Sequence, residues 1–130
     1  VGSEMCKETG LTLLTGLDDV VTLFFFAIDD NLRGHGYGTE VLTALKDKYD
    51  GKRIFICIEP IEKDAPNYKQ RVKRKAFYKK NGFKVMPFQV KEAGVTYDIM
   101  SVGGDVTFKE YERITKRFFG RVLYFFIKRF

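Results

Sequence analysis

Val20-Val21-Thr22-Leu23-Phe24-Phe25-Phe26-Ala27-Ile28 is followed, after a polar Asp29-Asp30-Asn31 cluster, by Arg33-Gly34-His35-Gly36-Tyr37-Gly38-Thr39. The first stretch is almost wholly apolar, β-branched or aromatic over nine residues. Such a run reads as a strand covered on both faces. The glycines of the second stretch let the backbone turn tightly and approach a ligand closely. Thr39–Tyr49 then reads as a helix with Val41, Leu42, Leu45 and Tyr49 on one face, stopped by Asp50-Gly51. A buried strand, a glycine-rich turn and a helix make the first half of a βαβ unit.

The second half follows directly. Arg53–Ile58 is another apolar run and predicts the partner strand, closed by Glu59-Pro60, since Pro cannot donate to a sheet ladder. After a polar loop, residues 70–81 predict a strongly basic helix with Val72, Ala76 and Phe77 on its apolar side. Asn81-Gly82 is its stop. Residues 83–90 and 95–101 flank Lys91-Glu92-Ala93-Gly94 and predict an antiparallel hairpin. Thr107-Phe108-Lys109-Glu110 has the form of a capping box. The helix it opens carries Phe108, Tyr111, Ile114 and Phe118 on one face, and Gly120 is expected to break it. At the other end, residues 1–10 read as a loose segment, Leu11–Leu14 as a short strand and Gly16–Asp19 as a turn. The fold class expected is mixed α/β (an α+β mixed sheet), with a central βαβ unit, a C-terminal hairpin and a terminal helix.

The whole chain bounds this reading. Its 130 residues suit a single domain spanning 1–130. Apolar content of 45% and charged content of 31% are ordinary for a globular protein. No run approaches the roughly 20 apolar residues of a membrane span. Two cysteines without CxxC spacing and a single His argue against a structural zinc site, so no metal is expected. Reduced thiols and the lack of a secretory leader pattern point to a cytoplasmic setting. The net charge of +6 is concentrated at the end, because residues 107–130 hold seven Lys/Arg and two Glu. The basic balance therefore does not mark the whole domain as a nucleic-acid binder. That tail mixes aromatics with cations. It reads as a last element packed on the domain, with a homodimer contact or a membrane-surface segment as alternatives.

Chemistry is carried by the glycine-rich turn. The first N–H groups of a helix lack internal partners and sit at the positive end of its dipole, so such a place receives phosphate or pyrophosphate. The dinucleotide fingerprint would need its glycines at other spacings, and the Walker pattern would need Gly-Lys-Ser/Thr. Neither is present.

Arg33, Gly36 and Gly38 follow the Arg/Gln-x-x-Gly-x-Gly/Ala loop of the GNAT N-acetyltransferases, and the strand before them resembles that family's fourth strand. Phe77-Tyr78-Lys79-Lys80-Asn81-Gly82-Phe83 independently resembles the family's FYxxxGF segment. The resemblance covers about residues 20–104. It implies acetyl-CoA as cofactor, with its pyrophosphate on the loop backbone of Arg33, Gly34, His35, Gly36, Tyr37, Gly38 and Thr39. It implies that the edge of the first strand, at Ala27 and Ile28, parts from the second and pairs with pantetheine. It maps the family's general acid onto Tyr78 and a CoA contact onto Asn67, although the family's usual Asn, six residues before the Tyr, is here Val72. Arg74, among the cations of the basic helix, is the contact expected for the polyanionic CoA. The family has no fixed base. Glu59, following an apolar run at a strand exit, is the best candidate in this chain, while His35 reads as a loop side chain. The acceptor implied is a small-molecule or peptide amine. A non-catalytic acyl-CoA-binding module stays open as an alternative, because the residues before Val20 are few for the strand and two helices that open the family's fold. A polyanion-binding domain using the basic tail is the third reading.

Overall fold

The computed structural model describes residues 3–6, 10–17, 19–28, 37–92 and 94–129. Six strands form one sheet in the order β1-β2-β3-β4-β6-β5. They are β1 (Ser3–Cys6), β2 (Gly10–Leu17), β3 (Val20–Ile28), β4 (Arg53–Ile58), β5 (Lys84–Glu92) and β6 (Val95–Val102). The helices are α1 (Tyr37–Lys48), α2 (Tyr68–Lys80) and α3 (Phe108–Arg129). Only β3 and β4 run parallel; the other neighbours are antiparallel. The expected mixed sheet around a βαβ unit is what the chain adopts.

Period-2 alternation splits the core across the sheet. Val21, Leu23, Ile54, Ile56, Ile58 and Met100 pack with Leu42 and Leu45 of α1 and Tyr78 of α2. Val20, Phe55, Ile99, Met86 and Val90 pack on the other face with Tyr111 and Ile114 of α3. Both faces of β4, and of β3 from Val20 to Leu23, are thus covered, as their apolar runs require. Thr22, fully buried, satisfies its hydroxyl by donating to the Phe55 carbonyl at 3.3 Å.

The first 17 residues differ from expectation. Instead of a loose segment and one short strand, Ser3–Cys6 pairs with β2 in the register Ser3↔Leu13 to Cys6↔Gly10. Gly16 and Leu17, expected in a turn, remain in β2, which pairs with β3 as far as Leu17↔Val20. Polar Ser3-Glu4 carries little strand propensity; a cross-strand partner, which local sequence does not show, makes the strand. A β1–β2 hairpin therefore precedes β3 directly.

The capping box forms as expected. Glu110 N–H donates to the Thr107 hydroxyl at 3.2 Å and Thr107 N–H donates to Glu110 Oε1 at 3.1 Å. Gly120 does not break the helix, which runs on to Arg129. One interior glycine costs a helix about 1 kcal/mol relative to alanine, less than the cooperative gain of propagating on both sides of it.

Arg53 clamps the start of β4. Its Nη1 donates to Glu110 Oε1 at 2.9 Å and to the Asp105 carbonyl at 2.8 Å, and its Nη2 donates to Glu110 Oε2 at 2.5 Å. Nε and Nη2 also reach the Asp19 carboxylate at 3.2 and 2.9 Å. One guanidinium thereby joins the β2–β3 turn, β4 and the first turn of α3.

Candidate active site

The parallel pair sets the site. β3 and β4 both end, in the carboxyl sense, at the edge of the sheet where α1 and α2 begin. In open α/β sheets this edge is where ligands bind. Here the two strands also part. They pair only at Val20↔Arg53, Val21↔Ile54 and Thr22↔Phe55, although β3 continues to Ile28 and β4 to Ile58. The cause is visible in the β2–β3 register, where Leu13 opposes Phe25 but Leu14 opposes Leu23. Phe24 is an extra residue, and a bulge bends its strand. Beyond it, β3 keeps its β2 ladder, while its other edge, from Leu23 to Ile28, has no strand partner among the described residues. Ala27 and Ile28 lie in this open stretch.

Of the glycine-rich loop, Arg33, Gly34, His35 and Gly36 lie outside the described residues. Tyr37, Gly38 and Thr39 form the first turn of α1, so their backbone N–H groups begin the helix at the same sheet edge. Glu40 is the acidic residue of that turn and is exposed. The Thr39 carbonyl accepts from the Thr43 hydroxyl at 2.8 Å.

Tyr78 is placed by the end of α2. Phe83 N–H donates to the Tyr78 carbonyl at 3.0 Å, and Gly82 N–H donates to the Lys79 carbonyl at 3.0 Å. Gly82 has φ +92°. These two bonds with a left-handed glycine make a Schellman motif, and its usual apolar contact is between Tyr78 and Phe83, whose rings sit 5.3 Å apart, edge to face. The turn through Asn81, Gly82 and Phe83 therefore fixes the ring of the candidate acid. Gly82→Ala should cost about 1 kcal/mol through the positive φ alone. The added Cβ would meet only Val102 Cγ2, at an ordinary 3.6 Å. The midpoint of denaturant unfolding measures this.

The Tyr78 ring is buried, 6% exposed, and burial pushes its phenol up to about 12, with a smaller opposing pull from the nearby Arg74 guanidinium. A phenol so placed stays protonated through neutral pH and can donate.

Glu59, Asn67 and Arg74 do come together, with Arg71 at their centre. Arg71 Nη2 pairs with Glu59 Oε2 at 2.6 Å, and Arg74 Nη1 stands 3.6 Å from Oε1. Asn67 accepts from Arg71 Nε at 2.8 Å and donates to Glu59 at 3.4 Å. Arg71 also donates to the Pro60 carbonyl at 2.9 Å. The cluster closes the loop between β4 and α2 onto itself. Both Glu59 oxygens are engaged, which describes a positioning carboxylate more directly than a free base. In the sequence Arg71 is one of seven cations along α2, and only its spacing of four from Asn67 hints at this part. Among the described residues no helix is long and apolar enough to cross a membrane.

No family model matches the sequence, and no curated protein does. Solved structures do. A protein of Bacteroides thetaiotaomicron assigned to the GNAT acetyltransferases is 23% identical with a TM-score of 0.63, over 84% of this chain and 62% of its own. The N-acetyltransferase PaiA of Thermoplasma acidophilum, in complex with coenzyme A, is 18% identical with a TM-score of 0.54, over 72% of this chain and 52% of its own. An acetyltransferase of Bacillus subtilis, in complex with CoA, is 14% identical with a TM-score of 0.55, over 81% and 75% of the two chains. The chain thus spans less than two thirds of the length of the first two.

Proposed function

We infer, from the GNAT acetyltransferase fold that this chain has, that it transfers the acetyl group of acetyl-CoA to a primary amine. The observation that carries the reading is the parting of β3 from β4 after Thr22 and Phe55. A strand edge with unmatched N–H and C=O groups at a ligand-binding edge calls for a ligand that has amides of its own. Pantetheine is such a ligand, and the neighbouring start of α1 suits its pyrophosphate.

Acetyl-CoA would supply the acetyl group as an activated thioester. The chain's own residues do the rest. Backbone groups of Ala27 and Ile28 align the ligand along β3. The first turn of α1, with Arg33 to Thr39, receives the diphosphate, and the half-exposed Arg74 is the cation of α2 that would answer its negative charge. The acceptor nitrogen forms the new C–N bond as the C–S bond breaks. Tyr78 gives its phenolic proton to the departing sulfur and recovers one as the ammonium-derived nitrogen sheds its protons. The net change is ammonium plus thioester to amide, thiol and one proton released. Glu59, with Asn67 and Arg71, holds the loop that carries α2, and with it Tyr78, in place. Proximity supplies much of the acceleration in such a ternary complex.

Calorimetric titration with acetyl-CoA tests the reading. Saturable binding with one site per chain is expected, followed by thiol release when an amine is added. Absence of binding at millimolar ligand would overturn it. Binding without transfer to any of a broad set of amines would favour a non-catalytic acyl-CoA-binding module.

A further inference from the structure

We propose that the α3 side of the crevice holds a subsite for the acceptor's ammonium group, formed by Glu92, Tyr97 and Tyr111. The proposal rests on the acetyl-transfer reading and specifies its acceptor class: a primary ammonium carried on an apolar or aromatic body.

The sheet register brings these residues to one place. Cys57 is two residues past Phe55, the last β4 partner of β3, so it belongs to the stretch of β4 whose edge is open. It packs on the α3 face with Phe55, whereas Ile56 and Ile58 face α1 and α2. Cys57 opposes Ile99 on β6. Tyr97 is two residues from Ile99 and therefore on the same face. Val90 opposes Tyr97, and Glu92, two residues on, again shares that face at the hairpin end. Tyr111 of α3 lies over the group, and its hydroxyl donates to Glu92 Oε1. The antiparallel run of β5 and β6 thus carries a carboxylate to the sheet edge at which β4 ends, with β6 between β5 and β4, and Tyr111, whose ring packs edge to face on Phe55 at 5.9 Å, bridges from it to β4.

The charge balance there is one-sided. Burial first, then the Glu92 hydrogen bond, pushes the Tyr111 phenol above its ordinary value, so it stays neutral. Burial likewise pushes the Cys57 thiol up to about 12, with a further contribution from the Glu92 charge. Other acids at this end of the sheet have cationic partners: Glu59 has Arg71, and Asp98 has Lys75 at 4.0 Å. Glu92 has no Lys or Arg within ion-pair distance among the described residues. A carboxylate with a tyrosine hydroxyl on one oxygen, beside aromatic rings and without a cation, is suited to an ammonium group. An anionic acceptor would be repelled.

The placement also fits the chemistry. Tyr78 belongs to the core on the α1 and α2 face, and Glu92 and Tyr111 to the α3 face. A thioester lying in the crevice would then meet the amine from one side of the sheet and the proton donor for its sulfur from the other.

The test uses 4-fluorobenzylamine as the cationic probe and 4-fluorobenzyl alcohol as its neutral counterpart, followed by fluorine NMR line broadening with saturating CoA. The wild-type chain should bind the amine at least about tenfold more tightly than the alcohol, the scale of one charged hydrogen bond. Glu92→Gln should erase that preference and leave alcohol binding unchanged, and Tyr111→Phe, which keeps the ring, should weaken amine binding severalfold. Equal binding of amine and alcohol by the wild type, no binding of the amine, or an unchanged preference in Glu92→Gln would each overturn the proposal. Acetyl-CoA calorimetry on the same preparations separates the two claims. If acetyl-CoA binds and the amine does not, the subsite fails and the acetyl-CoA site stands. If the amine binds through Glu92 and acetyl-CoA does not, the cation site stands and the transferase reading fails.

Discussion

Tyr78→Phe is expected to lower the rate of acetyl transfer about a hundredfold, with KM for acetyl-CoA nearly unchanged, because general acid help of this kind contributes roughly two to four powers of ten. The substitution removes one oxygen and keeps the ring between Phe77 and Phe83, each about 5 Å from it edge to face. Folding should therefore be preserved, which thermal unfolding would check. The pH dependence carries a second signature. With the phenol at about 12, the acid form persists far into the alkaline range. The wild-type rate should rise as the acceptor ammonium deprotonates and show no falling limb up to about pH 10. Initial rates of thiol release across roughly pH 7–10 measure both points. A variant with full activity would remove Tyr78 from the mechanism.

Arg53→Ala is expected to destabilise the chain by about 2 kcal/mol, the scale of charge-assisted hydrogen bonds in a two-pronged geometry. Arg53 and Glu110 are 21% and 26% exposed on their side chains, so solvent screens the pair only in part. The substitution frees the Asp105 carbonyl and strips the first turn of α3 from β4. The pH dependence has a definite sign. The Arg53 guanidinium holds the carboxyls of Glu110 and Asp19 below their ordinary values. A depressed folded-state value means that the unfolded chain binds protons first as pH falls. The stability that these pairs contribute is therefore present above about pH 4.5 and lost as pH falls through the lowered values. Arg53→Ala should flatten the decline of stability between roughly pH 5 and 3. Urea unfolding of both proteins at several pH values would show the two stabilities converging in acid; a constant difference between them would remove the guanidinium as the cause.

What can be read without coordinates follows from the range of the interactions involved. The Val20–Ile28 and Arg53–Ile58 strands, α1 and the stop at Gly82 are local signals: periodicity, a glycine that must be left-handed, a run of apolar residues. They are legible within a residue or two. The β1 strand is not, because its cause is pairing with β2 rather than its own composition. Gly120 misleads in the opposite direction, since its local cost is outweighed by the length of the helix around it. Within the site, Tyr78 can be found from its motif, and Glu59, Asn67 and Arg74 do meet. That Arg71 holds Glu59, and that Glu92 meets Tyr111, are facts of the β4–α2 loop and of strand register, which no local pattern displays. The acidic residue of the hairpin reads as turn chemistry because its partner lies on a helix 19 positions further along the chain.

The bulge at Phe24 divides β3 into two kinds of backbone. From Val20 to Thr22 the strand has ladders on both sides, and its amides should exchange with solvent deuterium only when the sheet opens as a whole. From Leu23 onward alternate amides point to β2 and to the open edge, so protection should become a sawtooth, slow and fast by turns. A ligand lying in the crevice would act as a borrowed strand, and the fast teeth would fall silent. A single exchange map of nine consecutive residues, recorded with and without ligand, would thus trace the path of the bound molecule amide by amide.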